Sequence, residues 1–303
     1  MILVKPKIER IDQTDYSLQG IYKQIEWCTR VSYKSEDRIT EDSAEAFVKM
    51  LIDRTHYAGL EFGVVQLKLP YILAHESSSL RNRVTNKGYD LYDYSVADFF
   101  INNPYSYTKY SDNGHYLYVS TNYRVIYEWQ LEDLLRYLYT DDKIVDKPCF
   151  IVTTSRDIAD EMRTHRAFSW VMESSRFCNY SRDKFDNNVR FVPSSEITIN
   201  KNLFDTAISP INFPEMPVYN SITENYLKSL LQSEFSYNLM LRRGLKPEIA
   251  RKLLGFSFKV DLAMCGFKVD YEYFVYRRSD EHAHPDVRII SNMICDELGL
   301  YLG

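Results

Sequence analysis

Apolar residues recur along the first quarter of the chain with two spacings, one helical and one alternating. Helical spacing follows Thr40 and predicts a helix over residues 40–54. Its apolar positions are Ala44, Phe47, Val48, Leu51 and Ile52. The alternating run at 62–69 predicts a strand, because successive side chains on a strand point to opposite faces. One face of that strand is apolar, whereas Gln66 and Lys68 predict a solvated face.

Residues 76–145 differ from their surroundings because they are polar, rich in tyrosine and interrupted by turn residues. Within them, Asp112-Asn113-Gly114 separates two tyrosine-rich runs and predicts a hairpin. Residues 115–129 are predicted to be a strand, and residues 130–139 a short helix. We expect this segment to cap or extend the sheet of the protein.

The second half of the chain mixes strand and helix patterns. Residues 149–152 predict a short buried strand. Thr154-x-x-Asp157 resembles a capping box and predicts a helix that extends to His165. The other predicted elements are a strand pair at 188–199, a helix at 218–243 that ends at Gly244, a helix that begins at Pro247, a strand through Phe256, Phe258, Val260 and Leu262, and helices at 268–278 and 285–298. Because βαβ alternation is lacking, this order indicates an α+β fold.

Composition argues against several classes of protein. The 303 residues are 45% apolar and carry a formal net charge of −5, so a core can form but no basic surface points to nucleic acid. No apolar run approaches the roughly 20 residues of a membrane-spanning helix. The early charge at the N-terminus argues against a secretory signal. Five dispersed cysteines without a C-x-x-C pair favour a reducing, cytoplasmic setting over a disulfide framework.

Polar chemistry is concentrated in residues 161–182, which hold four arginines, a histidine and several hydroxyl groups. Guanidinium groups donate paired, charge-assisted hydrogen bonds to phosphates, and serine hydroxyls add short donors and acceptors, so the segment suits a phosphorylated heterocycle. On a helix, Glu161 and His165 would share a face, as would Arg163 and Arg166. A solvated, ion-paired helix explains the composition equally well.

The spacing within this segment resembles the signature of the flavin-dependent thymidylate synthases. His165-Arg166 is followed by seven residues and then by Ser174-Ser175-Arg176, while Thr164 stands where the signature begins with arginine. Ser169 also matches, whereas Phe62, Val171 and Met172 depart from the family pattern. Further segments that resemble the family in the same order are Thr29-Arg30-Val31-Ser32-Tyr33, the run from His56 to Glu61, and Glu248-Ile249-Ala250-Arg251, with Arg278 a further 27 residues on.

A branch of this family with a long insert is also similar to the chain, at Asn-Pro-Tyr-Ser (103–106) and Thr-Asn-Tyr-Arg (121–124). The resemblance implies one domain over residues 1–303, with a mixed sheet core flanked by helices and an insertion at about 76–145. It implies a homotetramer with sites between subunits. The implied reaction is the reductive methylation of dUMP to dTMP, in which methylenetetrahydrofolate supplies the carbon and FAD reduced by NADPH supplies the hydride.

The resemblance also assigns roles to individual residues. The expected catalytic residues are Arg176, His56 and Ser174, with Arg176 stabilising negative charge that develops on the pyrimidine. The expected cofactor-binding residues are Ser32, His56, Glu61, Arg163, His165, Arg166 and Ala167. The expected substrate-binding residues are Glu161, Ser174, Ser175, Arg176, Arg251 and Arg278. No metal is expected, and Arg163 is the candidate to replace the missing signature arginine.

Other interpretations stay open at this point. Pro148-Cys149 is the pair that a cysteine-dependent thymidylate synthase uses for nucleophilic attack, although the apolar run after Cys149 indicates burial. His282 and His284 form a weak metal-ligand pair. The chain would also fit a nucleotide-binding protein of the same fold that has lost catalysis, or an enzyme that transfers another one-carbon unit, such as a hydroxymethyl group, to a pyrimidine.

Overall fold

The computed structural model describes residues 1–76, 95–213 and 221–300. Its strands and helices follow one another without βαβ order, which confirms the predicted α+β class. The strands are β1 Ile2–Leu3, β2 Lys7–Arg10, β3 Val64–Pro70, β4 Tyr107–Tyr110, β5 Tyr116–Asn122, β6 Cys149–Ser155, β7 Ser169–Met172, β8 Arg190–Phe191 and β9 Lys259–Cys265. The α-helices are Leu18–Arg30, Ser43–Asp53, Tyr71–His75, Val96–Asn102, Tyr123–Glu128, Arg156–Met162, Ser221–Arg242, Pro247–Ala250, Lys268–Arg278 and Pro285–Leu298.

Strands β6 and β9 lie at the centre of a four-stranded sheet with the order β2-β6-β9-β7. Both strands are buried along nearly their whole length, although β6 ends in Thr153-Thr154-Ser155 and β9 carries Lys259 and Asp261. All pairings in this sheet are antiparallel, and the described parallel pairing of strands joins the short β1 and β8. The parallel pairing expected of a mixed sheet core is therefore found in the two-stranded sheet β1-β8 and not in the four-stranded sheet. The direction of β6 relative to β9 cannot be read from a sequence in which about a hundred residues separate them.

A second sheet has the order β3-β5-β4, and the predicted hairpin at 112–114 joins β4 to β5. Gly114 has a φ of 70°, a left-handed conformation that glycine adopts without a steric penalty. The predicted strand at 115–129 was wrong beyond residue 122. There the Asn122 side chain accepts a hydrogen bond from the backbone N–H of Val125 (3.0 Å) and caps a helix.

The polar face of β3, predicted to be solvated, is buried at Gln66 and half-buried at Lys68. Gln66 has no exposed surface, and its side-chain amide donates to the carbonyl of Asp142 (3.0 Å) and accepts from the N–H of Ile144 (2.7 Å). The Lys68 ammonium lies 4.6 Å from the centre of the Tyr116 ring. A buried amide that pairs with backbone in this way fixes the path of the chain after residue 140.

Most predicted helices are confirmed, at 43–53, 221–242, 247–250, 268–278 and 285–298. The predicted helix after β6 starts differently, because Thr154 belongs to the strand and Ser155 is the N-cap. That helix ends at Met162, before His165. The helix predicted at 130–139 is a 3₁₀ turn at Glu132–Tyr137. The strand pair predicted at 188–199 is reduced to β8.

Three apolar clusters form the described core, and the smallest surrounds Cys28, Phe62 and Cys149. The first packs the four-stranded sheet against the C-terminal helices, with Phe150 and Tyr271 in edge contact at 5.5 Å. The second joins the N-terminal helices to the three-stranded sheet through Ile25, Val65 and Val119. Residues of the 76–145 segment thus share a core with residues before it. None of the helices in the described ranges is long and apolar enough to cross a membrane.

Candidate functional site

Strand β7 delivers the segment Ser174–Arg176 to the surface next to two other parts of the chain. The N–H of Ser174 donates to the carbonyl of Ser32 (2.9 Å), which fixes this segment to the 3₁₀ turn Val31–Tyr33. The Ser175 hydroxyl accepts from the Arg251 guanidinium (3.2 Å). Three sequence segments that were expected to bind the nucleotide or cofactor are therefore in direct contact.

Arg176 and its neighbours form an exposed row of polar and aromatic groups. The Arg176 side chain is 58% exposed, and its guanidinium lies 3.9 Å from the Glu248 carboxylate. Phe177 is 60% exposed and packs against the Tyr33 ring at 5.4 Å. The Tyr33 hydroxyl is 2.9 Å from Nδ1 of His56. We call this row, together with Ser32, Ser174, Ser175 and Arg251, the signature surface.

A buried ion network lies directly behind the signature surface. Asp261 on β9 accepts from the ammonium groups of Lys34 and Lys259, each at 2.6 Å, and from the Thr153 hydroxyl, also at 2.6 Å. Glu173, the residue before Ser174, accepts from Lys259 at 3.0 Å. The other Glu173 oxygen accepts from the Tyr180 hydroxyl (2.8 Å). The network therefore joins β9, the turn after helix Leu18–Arg30 and the start of the signature segment.

The opposite charges in this network favour one another's charged forms, which offsets the effect of burial. Burial favours the neutral carboxyl of Asp261, but Lys259 and Lys34 outweigh it and hold the pKa of Asp261 well below its ordinary value. Burial likewise lowers the pKa of Lys34, yet Asp261 and Glu173 raise it above the ordinary value. Lys34 also adopts a left-handed backbone with a φ of 48°, which costs a residue with a side chain on the order of 1 kcal/mol.

A second cluster surrounds Arg278, at the end of helix Lys268–Arg278. Its guanidinium donates to the Glu161 carboxylate, to Nε2 of His165 (2.8 Å) and to the Thr164 hydroxyl (3.2 Å). The Thr164 hydroxyl in turn donates to the carbonyl of Glu161 (2.7 Å). The sequence placed Glu161 and His165 on one helical face. They meet instead on one guanidinium, because the helix ends at Met162.

His165 is held in its neutral form by this cluster. Burial, the charge of Arg278 and the charge of Arg277 together lower the pKa of His165 from 6.5 to about 4. The Nε2 atom that receives the Arg278 hydrogen bond must therefore be the unprotonated ring nitrogen. A cavity of about 470 Å³ adjoins the cluster. It is lined by Thr164, His165, Arg166, Ala167, Phe168, Asp270, Tyr273, Arg277 and Arg278.

Replacing Arg278 by Gln should raise the pKa of His165 from about 4 toward 6.5. The variant removes the nearer of two repelling charges and leaves burial in place, so the pKa should remain below the ordinary value. Histidine-selective NMR titration would measure it, with the signal assigned from a His165→Gln variant. Arg136→Gln, in an exposed 3₁₀ turn, is the matched control. An unchanged pKa in Arg278→Gln would show that the Arg278 charge does not act on the ring.

The remaining predicted site residues lie in other contacts. Glu61 accepts from Arg124 (2.6 Å), the arginine of the Thr-Asn-Tyr-Arg element. Arg163, the residue that caps the helix Arg156–Met162, pairs with Asp160 of that helix (3.3 Å), and it is Thr164 that joins the Arg278 cluster. Arg163 was expected to replace the missing signature arginine. The contacts that Arg163 makes do not show such a replacement.

Sequence reasoning missed the residues that support the site. Glu173, Asp261, Lys34 and Lys259 were not singled out, and neither was Tyr33 as the partner of His56. One signal was present, because Asp261 is a charged residue within the apolar alternation of Phe258, Val260 and Leu262. A charge in a buried strand requires a buried partner.

Cys149 and His284, considered from the sequence as a nucleophile and as a metal ligand, make other contacts in the structure. Cys149 is 1% exposed, its sulfur lies 3.6 Å from that of Cys28, and burial raises the pKa of its thiol well above the ordinary value. Nδ1 of His284 accepts from the N–H of Asp286 and caps a helix. Among the described residues, no three potential ligands are placed to hold a metal ion.

Comparison with known proteins identifies the family. No curated protein matches the chain in sequence. The sequence model of the thymidylate synthase complementing protein family matches residues 148–300, just over half of the chain. That range includes the segment Ser174–Arg176, Arg251 and the whole Arg278 cluster, whereas Ser32, His56 and Glu61 precede it. The chain therefore belongs to the thymidylate synthase complementing protein family, the flavin-dependent thymidylate synthases.

Proposed function

We propose that the protein catalyses the reductive methylation of dUMP to dTMP, with methylenetetrahydrofolate as the carbon donor. The observation that carries this proposal is the contact between Arg251 and Ser175 beside the exposed Arg176. The guanidinium group of Arg251 meets the buried Ser175 hydroxyl there, next to the exposed guanidinium of Arg176 and to Ser174. This set suits a nucleotide, because guanidinium groups pair with phosphate oxygens and serine hydroxyls adapt to either donors or acceptors.

Arg176 is the residue best suited to act on the pyrimidine ring. Its nearest acidic group, Glu248, is 3.9 Å away, beyond the length of a charge-assisted hydrogen bond. The guanidinium is therefore available to a substrate oxygen. A cation at that position stabilises negative charge as C5 of the ring becomes nucleophilic. The flavin-dependent reaction requires no protein nucleophile, so Ser174 is proposed to bind and position the substrate, and its N–H contact to Ser32 fixes its backbone.

Arg278 and its partners are proposed to bind substrate and cofactor together. Glu161, His165 and Thr164 hold the guanidinium in one orientation, which lowers the entropy lost when a further anion binds. A neutral His165 keeps a nitrogen proton on Nδ1 that it can donate to an acceptor.

The cavity beside this cluster has the chemistry that FAD requires. Arg166, Arg277 and Arg278 supply cationic donors for a pyrophosphate, and Tyr273 and His165 supply flat faces for a ring. When bound, FAD that NADPH has reduced would supply the hydride that completes the methyl group. Ser32, His56, Glu61, Arg163, Arg166 and Ala167 are proposed to contact the cofactor. His56 is exposed and paired only with a tyrosine hydroxyl among the described residues, so it can move a proton.

The larger organisation of the protein is part of the same proposal. We infer a single domain over residues 1–303 with the flavin-dependent thymidylate synthase fold, whose insertion covers about 76–145. We infer a homotetramer in which other subunits complete each site. The exposed aromatic and cationic groups of the signature surface support this, because such groups are typical of surfaces that bind a partner or ligand. A cytoplasmic location is proposed with it.

The proposal is tested by assaying the purified protein with dUMP, methylenetetrahydrofolate, NADPH and FAD. We expect dTMP by mass spectrometry, and the yellow absorbance of an oxidised flavin in the protein as isolated or after addition of FAD. A parallel reaction with dCMP detects a pyrimidine hydroxymethylase, which would give a 5-hydroxymethyl product. A colourless protein that takes up no FAD would instead support a nucleotide-binding protein without catalysis.

Replacing Cys149 by Ala should leave the rate of dTMP formation within about twofold of wild type. The thiol is buried at the end of a central strand and is held protonated, so it cannot attack C6 of a pyrimidine. The measurement is the initial rate at saturating substrates. Cys178→Ala is the matched control, because burial and Glu173 raise the pKa of that thiol to about 12. Loss of turnover in Cys149→Ala alone would restore the cysteine mechanism.

A further inference from the structure

A second cationic cavity, of about 480 Å³, lies beside the signature surface. It is bounded by the ends of the helices Leu18–Arg30 and Ser43–Asp53 and by the loop 177–185. Five of the described residues that line it are cationic and none is acidic: Arg30, Arg38, Arg54, Arg182 and Lys184. The cavity adjoined by the Arg278 cluster is lined by a different set of residues.

Two of these five cations already have partners. Arg30 is buried, pairs with Glu26 and lies over the Phe47 ring at 4.5 Å. Lys184 pairs with Asp37 at 2.7 Å. Among the described side chains, no ion pair involves the remaining three.

These three unpaired guanidinium groups, on Arg38, Arg54 and Arg182, come from three separate segments and border one concave surface. Like charges placed around a cavity repel one another and concentrate a positive potential in it. An anion that binds in the cavity would offset this repulsion.

Aromatic rings accompany the charges. Tyr33 and Phe177, which belong to the signature surface, also line this cavity, as do Phe47 and Phe185. A ligand that suits it has an aromatic ring next to several negative charges. Because Tyr33 and Phe177 are shared, such a ligand would extend from the nucleotide-binding groups directly into the cavity.

We propose that this cavity binds the anionic arm of a reactant other than dUMP. That arm consists of an aromatic ring followed by carboxylates or phosphates. The inference rests on the proposed function. Two of the implied reactants have this chemistry. A folate carries an aminobenzoyl ring followed by glutamate carboxylates, and NADPH carries adenine with phosphates.

The test neutralises the unpaired arginines one at a time, in Arg38→Gln, Arg54→Gln and Arg182→Gln. Each should raise the KM of one reactant about 3- to 5-fold, the effect of a single exposed charge, and leave kcat and the KM of dUMP unchanged. Methylenetetrahydrofolate is supplied with one and with five glutamates, and NADPH is varied separately. Arg136→Gln, an exposed arginine in the 3₁₀ turn Glu132–Tyr137, is the matched control.

The reactant whose KM rises identifies the arm. A larger increase with five glutamates than with one assigns the cavity to the folate tail, and an increase confined to NADPH assigns it to the phosphates. An increase confined to dUMP, or no change in any KM, overturns the proposal.

A binding measurement separates failure of this inference from failure of the proposed function. Calorimetric titration with 5-formyltetrahydrofolate pentaglutamate and with NADP⁺ needs no turnover. Weaker binding of either probe by the three variants supports the cavity even if no dTMP is formed. If wild type makes dTMP but the variants bind both probes as wild type does, the inference fails alone.

Discussion

Replacing Asp261 by Ala is expected to destabilise the protein by about 3 kcal/mol. The variant leaves the ammonium groups of Lys34 and Lys259 without their shared buried carboxylate, and breaking a buried ion pair costs about 3–5 kcal/mol. We expect the lower end because the Lys34 and Lys259 side chains remain 22% and 12% exposed. Urea unfolding monitored by circular dichroism measures the difference.

The effect of Asp261→Ala should depend on pH in one direction. The pKa of Asp261 is lowered in the folded protein, so its stabilising contribution is present above the unfolded pKa of about 3.9 and is lost as pH falls through the folded pKa. The two proteins should therefore converge in stability as the solution is acidified below about pH 4. Lys228→Ala, which breaks an exposed pair with Glu224, is the control and should cost less than about 1 kcal/mol. If the Asp261→Ala protein were as stable as this control, the buried ion pairs of Asp261 would not stabilise the fold as proposed.

Replacing Arg176 by Ala is expected to lower the rate of dTMP formation by about 10²- to 10³-fold, the usual effect of removing a group that stabilises transition-state charge. The fold should persist, because the side chain is exposed and its described ion pair is a long one with Glu248. FAD should remain bound, since the expected cofactor contacts lie elsewhere. The measurements are single-turnover product formation and the flavin absorbance of the same sample.

Arg136→Ala is the matched control for Arg176→Ala, an exposed arginine in a 3₁₀ turn outside the proposed site. It should retain full activity. Full turnover in Arg176→Ala would remove this residue from catalysis. Loss of both turnover and FAD would instead indicate that Arg176 supports the cofactor site.

The sequence predicts the periodic elements well and their pairing poorly. The helix Lys268–Arg278 and the helix that ends before Gly244 follow from local spacing and turn residues, which act within a few positions. The antiparallel pairing of β6 with β9 depends on tertiary contacts between residues about a hundred positions apart. Asn122 likewise ends β5 through one side-chain hydrogen bond, which apolar periodicity does not detect.

In the candidate site, too, local sequence patterns were predictable and contacts between distant residues were not. The spacing of His165, Ser174 and Arg176 is visible in the sequence, and so is the resemblance it carries. The contact of Arg278 with Glu161 spans 117 residues, and only the fold brings the two together. Asp261 was missed because strand alternation was read for its apolar positions alone, although its charge is buried between Lys259 of the same strand and Lys34 of a distant segment.

Strand β9 belongs to both halves of the candidate site. Asp261 on this strand contacts the network behind Ser174, and the helix that follows the strand ends at Arg278. Because side chains alternate along a strand, deleting one residue of β9 would turn Asp261 to the opposite face and displace the start of that helix. The spacing between the two groups of arginines is thus set by the length of one strand. A single-residue insertion within β9 would therefore damage both groups at once.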